Sequence, residues 1–253
     1  MSDSPTQNDV VLETRDMHMA FGGLVIFERM NFALRRGERH AIIGPNGAGK
    51  TTFVSLVTGL LQPKSGAVMF EGRDITRLSP QQRVKAGMVR TFQINSLFRA
   101  LNPLESVVLA LLEREGKAQL SLRHVAAEKP LIGEAMELLH QFGLDRDAYA
   151  PTDALPYGKQ RLLEIVLALA LRPKLLLLDE PAAGLSTHQG HEVFSRLAQL
   201  PKDTTILFIE HDMNLVFSYA DVVSVFAAGA LVLSDTPENV RKSPRVREVY
   251  LGN

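Results

Sequence analysis

The residues GPNGAGKTT at positions 44–52 carry the strongest chemical signal in the sequence. They fit the pattern G-x-x-x-x-G-K-[ST], and they sit between a strand-like run, ERHAIIG, and a stretch whose apolar period turns helical, which is the context the pattern requires. The glycines let the loop curl. The backbone of Gly44, Pro45, Asn46, Gly47, Ala48, Gly49, Lys50, Thr51 and Thr52 then wraps a polyphosphate at a helix N-terminus, where N–H groups and the helix dipole favour negative charge. In this arrangement Lys50 reaches the β- and γ-phosphates, and the Thr51 hydroxyl holds Mg²⁺. The chemistry implied is that of a bound polyphosphate with Mg²⁺.

Two carboxylates follow in LLLLDEP, at the C-terminal end of a short apolar strand, where α/β sheets place ligand chemistry. Asp179 suits the water shell of Mg²⁺, and Glu180 suits a general base for an attacking water. Gln93, in VRTFQ, carries an amide able to touch Mg²⁺ or that water. His211, in IEHD, lies just past another strand. A lone histidine is ordinarily a structural residue, but a third polar group at the strand ends of such a sheet is a candidate γ-phosphate contact. His188 and His191 have the i, i+3 spacing of a metal pair, yet no further ligand cluster accompanies them, so a solvated helix face is the reading taken.

These residues need elements to hold them. VVLETRDMHM, MNFALRR, ERHAIIG, GAVMFEG and GMVRTFQ read as strands, and after the phosphate loop Phe53, Leu56, Val57, Leu60 and Leu61 fall on one helical face. From about residue 94 to 172 the character is helical, with Leu131, Ala135, Leu138, Leu139 and Phe142 forming one stripe. Strands and helices then alternate: KLLLLDE, THQGHEVFSRLAQL, TTILFIE, DMNLVFSYA, a hairpin from DVVSVFA to GALVLSD, and a short helix at TPEN with proline in its first turn. Alternation of this kind argues an α/β core around a parallel sheet, interrupted by a helical insertion.

Composition sets the outer limits. The chain has 253 residues, 45% of them hydrophobic and 22% charged, with 28 basic against 28 acidic residues and no cysteine. The balance advertises no nucleic acid partner. The lack of cysteine excludes disulfides and thiolate zinc sites. MSDSPTQNDV lacks the regions of a signal peptide. No apolar run approaches the roughly 20 residues that cross a bilayer, so any membrane role is expected to come through a partner.

Phosphate loop, glutamine, a glycine-containing loop LPYGKQR before the acidic strand, and a histidine after the next strand, in that order, resemble the ATP-binding subunit of ABC transporters. The resemblance spans the whole chain. FGGL, VRTFQ, LPYGKQRLLEI, DEPAAGL, IEHDM and YLG together look like the ATPases of branched-chain (hydrophobic) amino acid importers. It implies one ABC ATPase domain over residues 1–253. Residues 1–93 and 173–253 would form a P-loop NTPase core of RecA type, with a mostly parallel sheet and an N-terminal antiparallel β subdomain, and residues 94–172 an α-helical signature subdomain.

The resemblance also implies a head-to-tail dimer with a second ATPase subunit, identical or paralogous. Each ATP is then sandwiched between one phosphate loop and Tyr157, Gly158 and Lys159 of the partner's signature loop. Phe21 takes the place of the aromatic that stacks on adenine, with an ordinary packing phenylalanine as its rival. Further expected partners are two transmembrane permease subunits and, indirectly, a periplasmic or extracellular solute-binding protein. The chain would work on the cytoplasmic face of the inner membrane, with a permease groove near Val107 and Leu111.

Three positions depart from the family pattern. Pro156 stands for the usual serine and supplies neither hydroxyl nor N–H, and Lys159 stands for the usual glutamine, leaving the Gly158 N–H and the Lys159 charge to make the trans contact. Ser186 replaces the usual aspartate of the loop AAGLS; it reads either as a helix N-cap, since with Gln189 it spells an S-x-x-Q capping box, or as a residue with a role across the dimer. ATP-driven export of lipid or another solute, and a nucleotide switch without transport, are the competing functions.

Overall fold

The computed structural model describes residues 9–91, 100–117 and 129–251. The first part of the chain runs β1 (Val10–Phe21), β2 (Leu24–Arg35), β3 (Arg39–Ile43), α1 (Lys50–Val57), β4 (Ser65–Phe70), β5 (Arg73–Asp74), α2 (Pro80–Lys85) and β6 (Met88–Arg90). Three longer helices follow: α3 (Pro103–Arg114), α4 (Lys129–Gln141) and α5 (Tyr157–Ala170). The last part is β7 (Leu175–Asp179), α6 (Thr187–Ala198), β8 (Thr205–Ile209), α7 (Met213–Tyr219), β9 (Val222–Ala227), β10 (Ala230–Asp235), α8 (Pro237–Lys242) and α9 (Pro244–Leu251).

The strands form two sheets. β2-β1-β4-β5 is antiparallel throughout. The larger sheet has the order β10-β9-β3-β8-β7-β6, parallel except for β10 at its edge.

The uninterrupted apolar runs of β3, β7 and β8 follow from burial on both faces of this sheet. Because side chains alternate along a strand, each run divides between two cores. Ala41, Ile43, Leu176, Leu178, Ile206 and Phe208 face the core shared with α3, α4 and α5. Ile42, Leu175, Leu177, Leu207 and Ile209 face the core shared with α1 and the antiparallel sheet. One strand therefore carries both packing loads, and its C-terminal end is fixed from either side.

In the second core, Phe27, Phe32, Phe53 and Phe226 meet edge to face, with Phe53 5.0 Å from Phe32 and 5.2 Å from Phe226 between ring centroids. Phe53 lies in the first turn of α1, so this cluster seats the helix that opens the phosphate loop. The far end of α1 is closed by Arg83, which is 1% exposed. Its guanidinium donates to the carbonyls of Leu56, Val57, Thr76 and Leu78. Burial pushes this guanidinium down to about 10, so it is still charged at neutral pH.

The structure adds β5 and α9, which the sequence reading did not include, and departs from that reading at three further places. The helix that supplies Arg83, α2, was not among the expected elements, although Ser79, Pro80 and Gln82 spell a capping box with proline at the first helical position, and both capping hydrogen bonds form. Leu60 does not share the buried face of α1. The helix closes at Thr58, whose hydroxyl donates to Val54 O (2.7 Å), and Leu60 beyond it is 52% exposed. Val107 and Leu111 are fully buried among α3, α4 and α5, so they are core residues and do not line a permease groove. Replacing Arg83 by Met removes the donors for four carbonyls, those of Leu56 and Val57 buried and those of Thr76 and Leu78 partly buried. We expect Arg83→Met to destabilise the protein by about 3 kcal/mol in urea unfolding, since unsatisfied buried acceptors cost about 1–3 kcal/mol each before relaxation and water entry.

Candidate active site

The phosphate loop leaves β3 at Gly44. A side chain here would run into the Phe226 carbonyl, so the close approach of β9 demands glycine. Gly49, the N-cap of α1, adopts φ 96°, and a Cβ on it would meet the Phe27 ring at 2.7 Å. No side chain caps α1, and its first turn holds no acidic residue. The N–H groups and the positive end of the helix dipole are thus left for an anion. Asn46, Gly47 and Thr51 are exposed, Pro45 and Thr52 partly so, and Ala48 is buried.

Lys50 donates from Nζ to Gly44 O (2.6 Å) and Pro45 O (3.1 Å). Burial pushes its ammonium down, and Glu180 and Asp179 pull it back up. A cation curled over its own loop, with two carboxylates near, is suited to exchange two neutral acceptors for charged phosphate oxygens, which bind it more strongly.

The carboxylates arrive on β7 as the alternation requires. Asp179 Oδ2 accepts from Arg90 at 2.6 Å. Arg90 ends β6, the neighbour of β7, with Arg90 opposite Leu177. Glu180 takes φ 49°, a left-handed conformation that ends the strand, and its N–H is anchored on Ile209 O (3.0 Å). Its Oε1 meets His211 Nε2 at 3.1 Å. Phosphate-loop lysine, both carboxylates and the histidine therefore converge at neighbouring strand ends. Gln93 lies outside the described residues.

The loop before β7 forms the N-terminus of α5. Pro156 is its N-cap, and no side-chain bond closes the helix. Lys159 N–H donates back to Pro156 O (2.8 Å), which leaves the N–H groups of Tyr157 and Gly158 without an intrahelical acceptor. Tyr157 is 47% exposed and its hydroxyl reaches Ala183 O (3.3 Å). Gly158 is buried, and a Cβ there would press on Gln189 Nε2 at 3.1 Å. Lys159 is ion-paired with Asp147 at 2.6 Å, so its charge is already engaged within this chain. None of these partners is a phosphate-loop residue.

Ser186 caps α6 in a reciprocal box with Gln189. His191 of the same helix packs on Tyr219. Phe21 is 48% exposed at the tip of the β1–β2 hairpin, where a ring is free to stack.

Sequence reasoning missed three charged residues that hold this site. Arg90 sits in VRTFQ, Arg161 in LPYGKQR and Glu210 in IEHD. Each stood beside a residue already singled out, and the available signal was a charge placed against an apolar run. Arg161, 5% exposed, donates to the carbonyls of Asp179 (3.0 Å), Glu180 (2.8 Å) and Pro181 (3.1 Å) and pairs with Glu164 at 2.6 Å. The signature helix thereby grips the turn that bears Glu180.

Comparison with known proteins agrees with this geometry. A family model described as "ABC transporter" matches residues 27–183. The high-affinity branched-chain amino acid transport ATP-binding protein LivG of Salmonella typhimurium is 36% identical over 249 residues, covering 96% of this chain and 98% of that protein. A probable branched-chain amino acid transport ATP-binding protein of Archaeoglobus fulgidus is 34% identical over 248 residues, covering 96% and 95%. Among solved structures, the ADP conformation of an ATP-binding cassette of an ABC transporter superposes with TM-score 0.83 at 29% identity, covering 96% of this chain and 99% of that one. This chain belongs to the ABC transporter family, as one of its ATP-binding, ATP-hydrolysing subunits.

Proposed function

We propose that this chain powers the uptake of branched-chain or other hydrophobic amino acids, working on the cytoplasmic face of the inner membrane against two permease subunits supplied by a solute-binding protein outside. The similarity to importer subunits over 96% of its length is the observation that carries this reading. Among the described residues no helix is long and apolar enough to cross a membrane, which suits a subunit attached through its permeases. The solute itself would touch the partners, and this chain contributes force.

Roles follow from position and chemistry. The amides of the phosphate loop and Lys50 bind the polyphosphate of ATP. Thr51 and Gln93 directly, and Asp179 through water, would hold Mg²⁺, and the donor set fits: a hydroxyl, an amide and a carboxylate-bound water offer the hard oxygen ligands this ion prefers. The ion, when bound, neutralises phosphate charge. Arg90 holds the Asp179 carboxylate in its direction through the 2.6 Å contact. Glu180 accepts the proton of the attacking water, and His211 orients Glu180 and contacts the γ-phosphate.

Phe21 stacks on the adenine. In a head-to-tail dimer with a second ATPase subunit, the bare N–H groups of Tyr157 and Gly158 clamp the partner's nucleotide, with Lys159 adding charge once it is released from Asp147. Residues 94–172 then act as the arm that carries this clamp. Hydrolysis removes the bridging γ-phosphate and with it the differential affinity that favours the closed dimer.

Three outcomes test the assignment. Glu180→Gln is expected to lose at least about 100-fold in ATP turnover while retaining nucleotide and eluting as a dimer with ATP in size exclusion. Turnover equal to the parent protein would sink the base assignment. Pro156→Ala leaves turnover within about twofold, because proline offers no donor to lose. Gly158→Asp abolishes turnover yet keeps ATP binding in the monomer, so equal tolerance at 156 and 158 would rule out a trans clamp. Finally, purification from membranes brings down two permease chains, and vesicles rebuilt from the complex take up radiolabelled leucine with ATP. Uptake of none of the branched-chain amino acids would refute the substrate class while leaving the ATPase reading intact.

A further inference from the structure

Glu210 is a buried carboxylate for which the hydrolytic chemistry has no task. It follows β8 directly and is 5% exposed. Its surroundings are main chain. Oε1 accepts the Ala182 N–H at 2.8 Å, Oε2 accepts the His211 N–H at 3.0 Å, and the Asp212 backbone contributes a third bond. Burial pushes the carboxyl up, these three N–H groups pull it down, and the charge of Glu180 nearby raises it again.

The segments gathered in this way are the ones that bear the reactive pair. Ala182 belongs to the turn opened by Glu180, in which Ala183 N–H donates back to Glu180 O (3.0 Å). His211 and Asp212 form the turn that leads into α7, with Asp212 as its N-cap. The Glu180 N–H is tied to Ile209 O, one residue before Glu210. Two turns from different parts of the chain therefore hang on one carboxylate at the end of β8, and their side chains meet 3.1 Å apart.

We propose that Glu210 is a positioning residue for hydrolysis: its carboxylate sets the Glu180 turn and the His211 turn in a single register, so that base and histidine are pre-arranged. The proposal rests on the assignment of Glu180 and His211 above. The requirement is for an acceptor-only group, because three N–H donors converge on two oxygens. A glutamine of the same shape turns an NH₂ toward at least one of them.

The test uses the full chain with Glu210→Gln, Glu210→Asp and, as control, Glu180→Gln. Glu210→Gln is expected to lower kcat on the order of 10- to 100-fold, the scale of a sub-ångström to ångström misplacement. KM for ATP and the affinity for a fluorescent ATP analogue stay within about twofold, since the hydrogen bonds of Glu210 go to Ala182, His211 and Asp212 and not to the phosphate loop. In the nucleotide-free protein the ¹⁵N signals of the His211 imidazole shift as its contact with Glu180 is lost. Glu210→Asp, which keeps two acceptor oxygens, retains more turnover than the glutamine variant.

Wild-type kcat with unmoved imidazole signals in Glu210→Gln overturns the proposal, and a silent Glu180→Gln alongside shows that the base assignment survives. Loss of nucleotide affinity in step with kcat also overturns it, by showing a general structural role. Full activity in Glu180→Gln overturns both. Should the glutamine variant fail to fold, Glu210→Asp is judged by the same two readouts.

Discussion

The guanidinium of Arg161 on three successive carbonyls is the contact on which the site depends. Those carbonyls belong to Asp179, Glu180 and Pro181, at the point where β7 leaves the sheet. A strand end of this kind exposes acceptors that no neighbouring strand can satisfy, and buried unpaired carbonyls are costly. One planar cation with five donors answers all three and fixes the direction in which the next side chain emerges. Because Arg161 lies one turn inside α5, the helix packed beneath the sheet and the carboxylate turn above it move as a unit.

The same logic recurs around the sheet. Arg83 closes the C-terminal end of α1 on four carbonyls, Arg90 meets Asp179, and Glu210 collects N–H groups. Apolar packing supplies most of the stability, but it is non-directional and leaves the rims of β3, β7 and β8 free to choose among loop paths. Charged residues that bind main chain, or in the case of Arg90 another charged side chain, make that choice. The two cores decide that the strand ends lie side by side, and the charged residues decide how the loops leave them.

Sequence patterns exposed the first of these decisions well. The parallel sheet was legible because buried strands read as unbroken apolar runs, and the phosphate loop because Gly44 and Gly49 are forced by close approaches of Phe226 and Phe27, and Gly47 by its left-handed backbone. Asp179, Glu180 and His211 were legible from their places after such runs. Arg83, Arg161 and Glu210 were not. A charge inside or beside an apolar segment reads as surface, and nothing local shows that its partners are main-chain groups brought near by the fold, such as Leu56 O for Arg83, Glu180 O for Arg161 and Ala182 N–H for Glu210. Val107 and Leu111 illustrate the converse: apolar residues on an amphipathic helix read equally as core or as a docking face, and only the packing of α4 and α5 against α3 distinguishes them.

Pro156 looks at first like a loss, since it brings no hydroxyl and no amide proton to the start of α5. Its backbone sits at φ −53°, inside the narrow range that the pyrrolidine ring imposes. The residue therefore has little freedom to surrender when the loop is ordered, either on folding or on closing over a ligand. A donor has been exchanged for stiffness. The tip of α5 meets whatever binds there with its shape already set, at a smaller entropic cost than a flexible serine would incur.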